Sequence, residues 1–368
     1  MSTTATVRVQ SAEEIASRAG GSTPPLRWPE RTTFFAERAM RLRQLANGHA
    51  MGDFLLFAAR LAQAQQAALE RLGANEASAG GGAGGVPIPD AEAIDRASLA
   101  GQPPLAATDW PRDRAWHAVL RGIVRAMRAE TAPGPAADAL ARLDGADEVF
   151  LERQADALLT GVMAGLDLAT APVVAAALQV LWTHMAIELE RAHAARGQTH
   201  TLPVGKLDDA GICPCCGSRP VASVTRSAGD VAGQRYLHCS LCGTEWNVPR
   251  GRCVHCGEAS AEKVAYQSLD RADVIEPDED SGARAARASI QAETCDACGH
   301  YLKIVHGDRD PMAEPVADDL ASITLDLLVA ETGKLRHGVN MMLLFGDPDE
   351  APVPPPRPPA PSAPPGGR

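Results

Sequence analysis

Eight of the nine cysteines fall into four CxxC pairs between Cys213 and Cys298: Cys213/Cys216, Cys239/Cys242, Cys253/Cys256 and Cys295/Cys298. A two-residue spacer lets both sulfurs of a pair converge on one ion, and two pairs complete a tetrahedron with metal–sulfur bonds of about 2.3 Å. Eight paired thiols therefore meet the ligand count of two tetrathiolate sites. All four pairs continue into glycine, as CPCCG, CSLCG, CVHCG and CDACG. A tight knuckle turns backbone N–H groups toward sulfur and commonly needs a residue at positive φ, which glycine adopts without steric cost. A dithiol redox centre would instead place a lone CxxC at the start of a helix in a βαβ setting.

Sequence order assigns Cys213, Cys216, Cys239 and Cys242 to one site, with 22 residues between the pairs. Cys253, Cys256, Cys295 and Cys298 form the other, across 38 residues that include the insertion EPDEDSGARAARAS. An interleaved pairing satisfies the same count. Tetrahedral S4 ligation suits zinc or a single rubredoxin-type iron.

Many metal ribbons bind nucleic acid through a basic face. This chain carries a net charge of −11, and Lys206 to Asp310 holds 12 basic against 16 acidic residues, which argues against that class. The leading segment MSTTATVRVQSAEEIASRAGG has neither an uninterrupted apolar run nor paired arginines, so a cytoplasmic location is expected. Thiols stay reduced there, which favours metal ligation over disulfides. The apolar run Ala171 to Ile187 is short for a membrane span and is interrupted by Gln179, Thr183 and His184, so it reads as a buried helix.

The spacing of apolar residues predicts an all-α N-terminal domain over residues 27–200, after a flexible leader at 1–26. Its helices are expected to start near Pro29 and Glu30, to run from His49 to a stop near Gly73, and to cover Val149–Leu168 and Pro172–His193 with Thr170 as N-cap. A Gly-rich connector at 73–89 divides the region. Residues 207–310 are expected to form a cysteine-rich domain of short strands, PVASVTR, RYLHCSLCGTEW and KVAYQSL, hung on two small metal modules. One amphipathic helix within 311–345, with Val316, Leu320, Ile323 and Leu327 on one face, and a disordered Pro-rich tail at 346–368 complete the plan.

The order CPCCGSRPVAS, LHCSLCGTEWNVPRGRCVHCG, ETCDACGHYLKI and EPVADDLASITLDLL resembles the FdhE family of formate dehydrogenase accessory proteins. FFAERAMRLRQLANGH and FLLFAARLAQAQQAAL are similar to that family's helical start, so the resemblance spans about Arg27 to about Leu344. It implies a non-enzymatic cytoplasmic assembly chaperone for the catalytic subunit of formate dehydrogenase. It also implies a helical domain followed by two rubredoxin-like (zinc-ribbon-like) modules, with iron the favoured metal and zinc the alternative. The longer Gly-rich connector and the Pro-rich tail depart from the family pattern.

Individual residues divide between chemistry and structure. Cys215 reads as an outward spacer, His238 and His255 as surface groups or supports of the ligands, and Trp246 as a cover for the sulfurs. Glu245 and Arg250 read as solvated charges. Asp318 and Asp319 suit the first turn of a helix, with partner binding as their candidate function. No Ser/His/Asp, HExxH, P-loop or GxGxxG pattern occurs. A closed tetrathiolate site offers no open coordination position for hydrolysis, so the expected role is a docking scaffold. The competing classes are a rubredoxin-like electron carrier acting on the same dehydrogenase and, against the charge, a nucleic-acid-binding ribbon.

Overall fold

The computed structural model describes residues 23–78, 85–197, 201–228, 231–269, 288–344 and 349. Most of the leader, the centre of the Gly-rich connector, most of the acidic insertion and nearly all of the tail lie outside these residues.

Prolines at 24, 25 and 29 disfavour helix around them, and the chain enters as a short strand, β1 (Leu26–Arg27). The first helix, α1 (Phe34–Ala46), therefore starts later than Pro29 and Glu30 suggest. Helix α2 (Gly52–Ser78) passes through Gly73, the expected stop. The reason is packing: a Cβ at Gly73 would lie 2.8 Å from Nη1 of Arg31, so glycine lets that guanidinium approach rather than ending the helix. Next come α3 (Ala91–Leu99), capped by Asp90 Oδ1 accepting from Ala93 N, then α4 (Ala115–Glu130) and α5 (Pro135–Gly145). Helix α6 (Glu148–Thr160) is shorter than its expected span because Gly161 takes a left-handed φ of 71° and ends it.

Helix α7 (Ala171–Ala195) is the core of the bundle. Pro172 occupies its first turn, but Thr170 makes no capping bond; its hydroxyl donates to Asp167 O instead. Helices α2, α4 and α6 pack against α7, burying Leu178, Leu181 and Trp182 completely. Among the described residues α7 alone is long and apolar enough to cross a membrane, yet 83% of its apolar window is buried inside the fold. Truncating Trp182 to alanine would cost about 3–5 kcal/mol by the usual scale of large core deletions.

The cysteine-rich region is one mixed sheet. Its strands are β2 (Pro220–Ala228), β3 (Val231–Cys239), β4 (Glu245–Asn247), β5 (Val264–Gln267), β6 (Ile290–Cys295), β7 (His300–His306) and β8 (Leu335–Arg336). The order is β1-β4-β3-β2-β7-β6-β5, with β8 also paired to β7. Two antiparallel groups, each bearing knuckles, meet where β2 runs parallel to β7 through Ser223/Ile304 to Thr225/His306. Strand β1 joins this sheet from the N-terminal side, pairing Leu26 with Trp246 and Arg27 with Glu245.

The expected C-terminal helix is two short ones, α8 (Pro315–Ala321) and α9 (Ile323–Glu331). The Ser322 hydroxyl donates to Asp318 O, and the Lys303 ammonium donates to Asp319 O, so groups outside the helix take the carbonyls at its end. The break resets the helical phase. Val316 and Leu320 are buried as expected, but Leu327 is exposed and Leu325 and Val329 face inward instead.

Candidate metal centre

Each knuckle is built by its own backbone. In the first, Cys213 N donates to Ser218 O at 2.9 Å and Gly217 N to Cys213 O at 2.8 Å. The third repeats this with Cys253 N to Glu258 O and Gly257 N to Cys253 O. The glycine after each pair, Gly217, Gly243, Gly257 and Gly299, has φ between 71° and 78°, the left-handed region that a side chain would disfavour. In the second knuckle the N–H groups of Leu241 and Cys242 both point to Cys239 Sγ at 3.4 Å.

The knuckles converge in sequence order, and the interleaved alternative does not occur. In the first cluster, Cys213, Cys216, Cys239 and Cys242 hold their sulfurs within 4.8 Å of one another; Cys253, Cys256, Cys295 and Cys298 do so in the second. Closest sulfur pairs are Cys216/Cys239 at 3.4 Å, Cys213/Cys242 at 3.6 Å, and Cys253/Cys298 and Cys256/Cys295 at 3.7 Å. A tetrahedron with bonds of about 2.3 Å has edges of about 3.8 Å, so both cages suit one tetrathiolate ion each. The soft donor set is that of zinc or a single iron.

The environments differ. All four sulfurs of the first cluster belong to buried residues within the main hydrophobic core. Cys215 O accepts from Leu105 N at 3.0 Å and Cys216 O from Ala107 N at 2.9 Å, tying the first knuckle to the loop before α4. Gln179 Nε2 in α7 donates to Ser240 O in the second knuckle at 2.7 Å, and the Phe34 ring packs where Gly243 has no side chain. The second cluster has its own small core of Cys253, Val264 and Cys295, with Cys298 half-buried and Cys256 exposed.

Charge follows burial. Burial and mutual repulsion push the Cys213 and Cys239 thiols well up. Burial opposes ionisation of Cys242 too, yet hydrogen bonds from Cys213, Cys215, Cys216 and Cys239 hold it well below the usual thiol range. Several buried thiolates can coexist only with a cation to neutralise them. In the second cluster a backbone hydrogen bond from Glu258 lowers the exposed Cys256, whereas burial raises Cys253.

Several residues depart from their expected settings. Cys215 is fully buried rather than outward, and its thiol is raised by a hydrogen bond to Cys242 and by burial. Trp246 is buried, but its indole N–H donates to Ala210 O at 2.9 Å and so anchors the chain entering the first knuckle. Glu245 is no solvated charge. It is buried between Arg226, Arg27 and His238, and despite that burial Arg226 and His238 hold its carboxyl down to about 2. Arg250 is exposed. His238 is buried with Nδ1 3.0 Å from Glu245 Oε1, while His255 stacks on His300 and lies 3.3 Å from His337 by their Nδ1 atoms.

Asp318 and Asp319 are buried and bind arginines. Arg41 of α1 forks onto Asp318, at 3.0 Å from Nε to Oδ2 and 2.6 Å from Nη2 to Oδ1. Asp319 accepts from Arg336 at 2.7 and 2.8 Å, from Asn340 at 2.8 Å, and pairs with Lys303 at 2.9 Å. Burial opposes this charge, but Lys303 and Arg336 lower its carboxyl. The capping residue of α8 is Glu314, whose Oε2 accepts from Ala317 N while its Oε1 takes Arg38. The Asp318–Asp319 pair thus locks α8 to α1 on one side and to the sheet on the other. Sequence reasoning missed the basic half of this lock, Arg38, Arg41, Lys303 and Arg336, since partners up to 277 residues away carry no local signal.

With both cages defined, comparison with known proteins decides the family. Residues 23–198 match the description "FdhE, N-terminal", residues 212–250 "FdhE, central domain" and residues 252–343 "FdhE, C-terminal domain". The chain belongs to the FdhE family. It is 34% identical over 345 residues to a protein FdhE homolog of Klebsiella pneumoniae, covering 93% of this chain and 99% of that protein. Protein FdhE of Escherichia coli O9:H4 (strain HS) is similar to the same extent, with 34% identity and coverage of 93% and 99%. The crystal structure of the FdhE protein from Pseudomonas aeruginosa matches with a TM-score of 0.69 and 34% identity, covering 88% of this chain and all of that one. FdhE proteins serve formate dehydrogenase as accessory, maturation-linked proteins and are not catalysts.

Proposed function

We propose that this chain is a cytoplasmic assembly chaperone that binds the catalytic subunit of formate dehydrogenase, with two rubredoxin-like tetrathiolate modules organising the surface that receives it. The observation that carries the reading is the union of both cages in one sheet, braced by the helical bundle through β1 and α8. Closed four-sulfur cages leave no ligand position for substrate, so the ions act on shape. Iron is the favoured ion through the family resemblance, and zinc meets the same donor set. Thiolate ligation needs reduced cysteines, as the cytoplasm supplies. Asp318 and Asp319 would contribute to partner binding by fixing α8 between bundle and sheet rather than by direct contact, given their burial.

The test is co-purification from cells. Tagged wild-type protein should retain a formate dehydrogenase catalytic subunit, and Cys256→Ser/Cys298→Ser should weaken retention while leaving the protein folded. Equal retention by the two forms would remove the second cage from the docking surface. An electron-transfer reading draws on one observation, the exposure of Cys256 beside the second cage. Under it, anaerobically purified protein would hold iron that cycles reversibly in a redox titration; zinc at both sites would exclude it.

A further inference from the structure

A cavity of about 610 Å³ opens between α2, the starts of α5 and α7, and the segment Met342–Leu344. Its walls are largely apolar, with the half-buried rings of Phe54 and Phe57 standing in them from α2. Arg60, about one turn further along α2, lines the same cavity. Among the described residues no hydrogen bond or ion pair engages this guanidinium, and its Nε is closed off from water. A buried donor without an acceptor is costly, so an anion brought to this wall is favoured. Helices α5 and α7 also begin here, at Pro135 and Ala171, and no side chain caps either start, which adds the positive ends of two helix dipoles. The one carboxylate among the lining residues, Asp53, is exposed. The cavity therefore suits an occupant that joins apolar surface to negative charge.

The chain itself supplies one. Leu344 lines the cavity, and the sequence continues from it as FGDPDEAPVPPPRPPAPSAPPGGR. An apolar ring, Phe345, comes first, the carboxylates of Asp347 and Glu350 follow, and ten of these 24 residues are proline. Three residues of extended chain cover about 10 Å, so Asp347 comes within reach of a cavity that Leu344 already shares with Arg60. Proline blocks helix and sheet pairing and favours an extended form that docks on aromatic-lined grooves at low ordering cost. We infer that residues 345–356 of this chain fold back over the cavity, with Asp347 and Glu350 facing Arg60 and the two helix starts, and with Phe345 and the first prolines on Phe54 and Phe57. The tail is thereby an internal cover of the bundle's apolar groove, and any other apolar segment must displace it.

The experiment is hydroxyl-radical footprinting of the full chain with metals bound, read by mass spectrometry at Phe54 and Phe57. Met40 and Met312, each 43% exposed and outside the walls of this cavity, serve as internal controls. Asp347→Asn/Glu350→Gln should raise labelling of both rings severalfold and leave the two methionines unchanged. Arg60→Gln should do the same without altering metal content or the circular dichroism spectrum, and adding it to the tail variant should raise labelling no further. The free acetylated peptide FGDPDEAPVPPP should bind the tail variant about tenfold more tightly than wild type, whose own tail competes at high effective concentration. Equal labelling of wild type and the tail variant, or equal affinity of both for the peptide, would overturn the inference. Loss of protection on dilution of the wild-type protein would give the groove to the tail of a second copy and overturn it equally.

Discussion

The two cages have the same four ligands and the same knuckles, yet they stand in opposite surroundings. The first is sealed between the bundle and β2–β4, with Gln179, Leu105, Ala107 and Phe34 all contacting its knuckles. The second closes the far end of the sheet over a core of a few side chains, with one sulfur residue exposed. The same ligand set can therefore serve as a keystone or as a surface module, according to how much apolar area is packed on its far side. A buried cage couples metal binding to the folding of everything around it, whereas an exposed cage couples it only to its own strands.

The largest expected effect follows from removing half of the first cage. Cys239→Ser/Cys242→Ser leaves two buried thiols without a counter-ion inside the main core, and metal sites of this kind contribute on the order of 10 kcal/mol to folding in isolated zinc modules. Loss of a large part of that exceeds the roughly 5–15 kcal/mol that a domain has in reserve, or comes close to it. Thermal melts followed by circular dichroism should show no cooperative helical transition near that of wild type. In contrast, Cys256→Ser/Cys298→Ser should bind one metal per chain and keep the helical melt within a few degrees, a sub-global loss of roughly 1–2 kcal/mol. Metal analysis beside the same melt checks both halves; a similar collapse in both variants would break the comparison.

Acid should act on both regions by a second route. His306, beside the β2/β7 junction, and His337, beside the second cage, are held down to about 4, chiefly by burial that disfavours the imidazolium. Because the unfolded rings bind protons near pH 6.5 and the folded ones do not, this stability is complete above about 6.5 and is lost as pH falls toward 4. At about 1.4 kcal/mol per pKa unit, the fall from about 6.5 to about 4 is on the order of 3–4 kcal/mol for each ring. Urea unfolding at pH 7.0 and 4.5 should reveal the drop, and His306→Gln should flatten it. An unchanged pH slope in that variant would remove His306 from the account.

The smallest expected effect is at Cys215, which packs against the first cage without being one of its four ligands. Cys215→Ala should leave two metals per chain and cost about 1 kcal/mol, as for loss of a small buried group. Loss of one metal in this variant would show that the thiol shares in ligation.

Both cages and their glycines were legible because a metal knuckle is a local device: spacer, glycine and thiols all lie within five residues. The bundle was legible by the same logic, through helical spacing. What local pattern could not supply is long-range pairing. Nothing near Leu26 announces an edge strand that finds Trp246, and nothing near Glu245 reveals Arg226 and His238 as its partners. Gly73 read as a stop because the approach of Arg31 cannot be seen in sequence. Asp318 and Asp319 read as first-turn carboxylates of a helix with partner binding as their candidate function, and only the packed structure supplies the cations that pair with them.

The asymmetry of the cages is tested most directly by graded chelation of the metal-loaded protein, with hydrogen exchange read by mass spectrometry as each equivalent leaves. The first equivalent should be released at least tenfold faster than the second, exposing amides of Val264–Gln267 and Ile290–Cys295 while α7 and β2–β4 stay protected. Release of both metals in one phase, or early loss of protection in α7, would contradict the account.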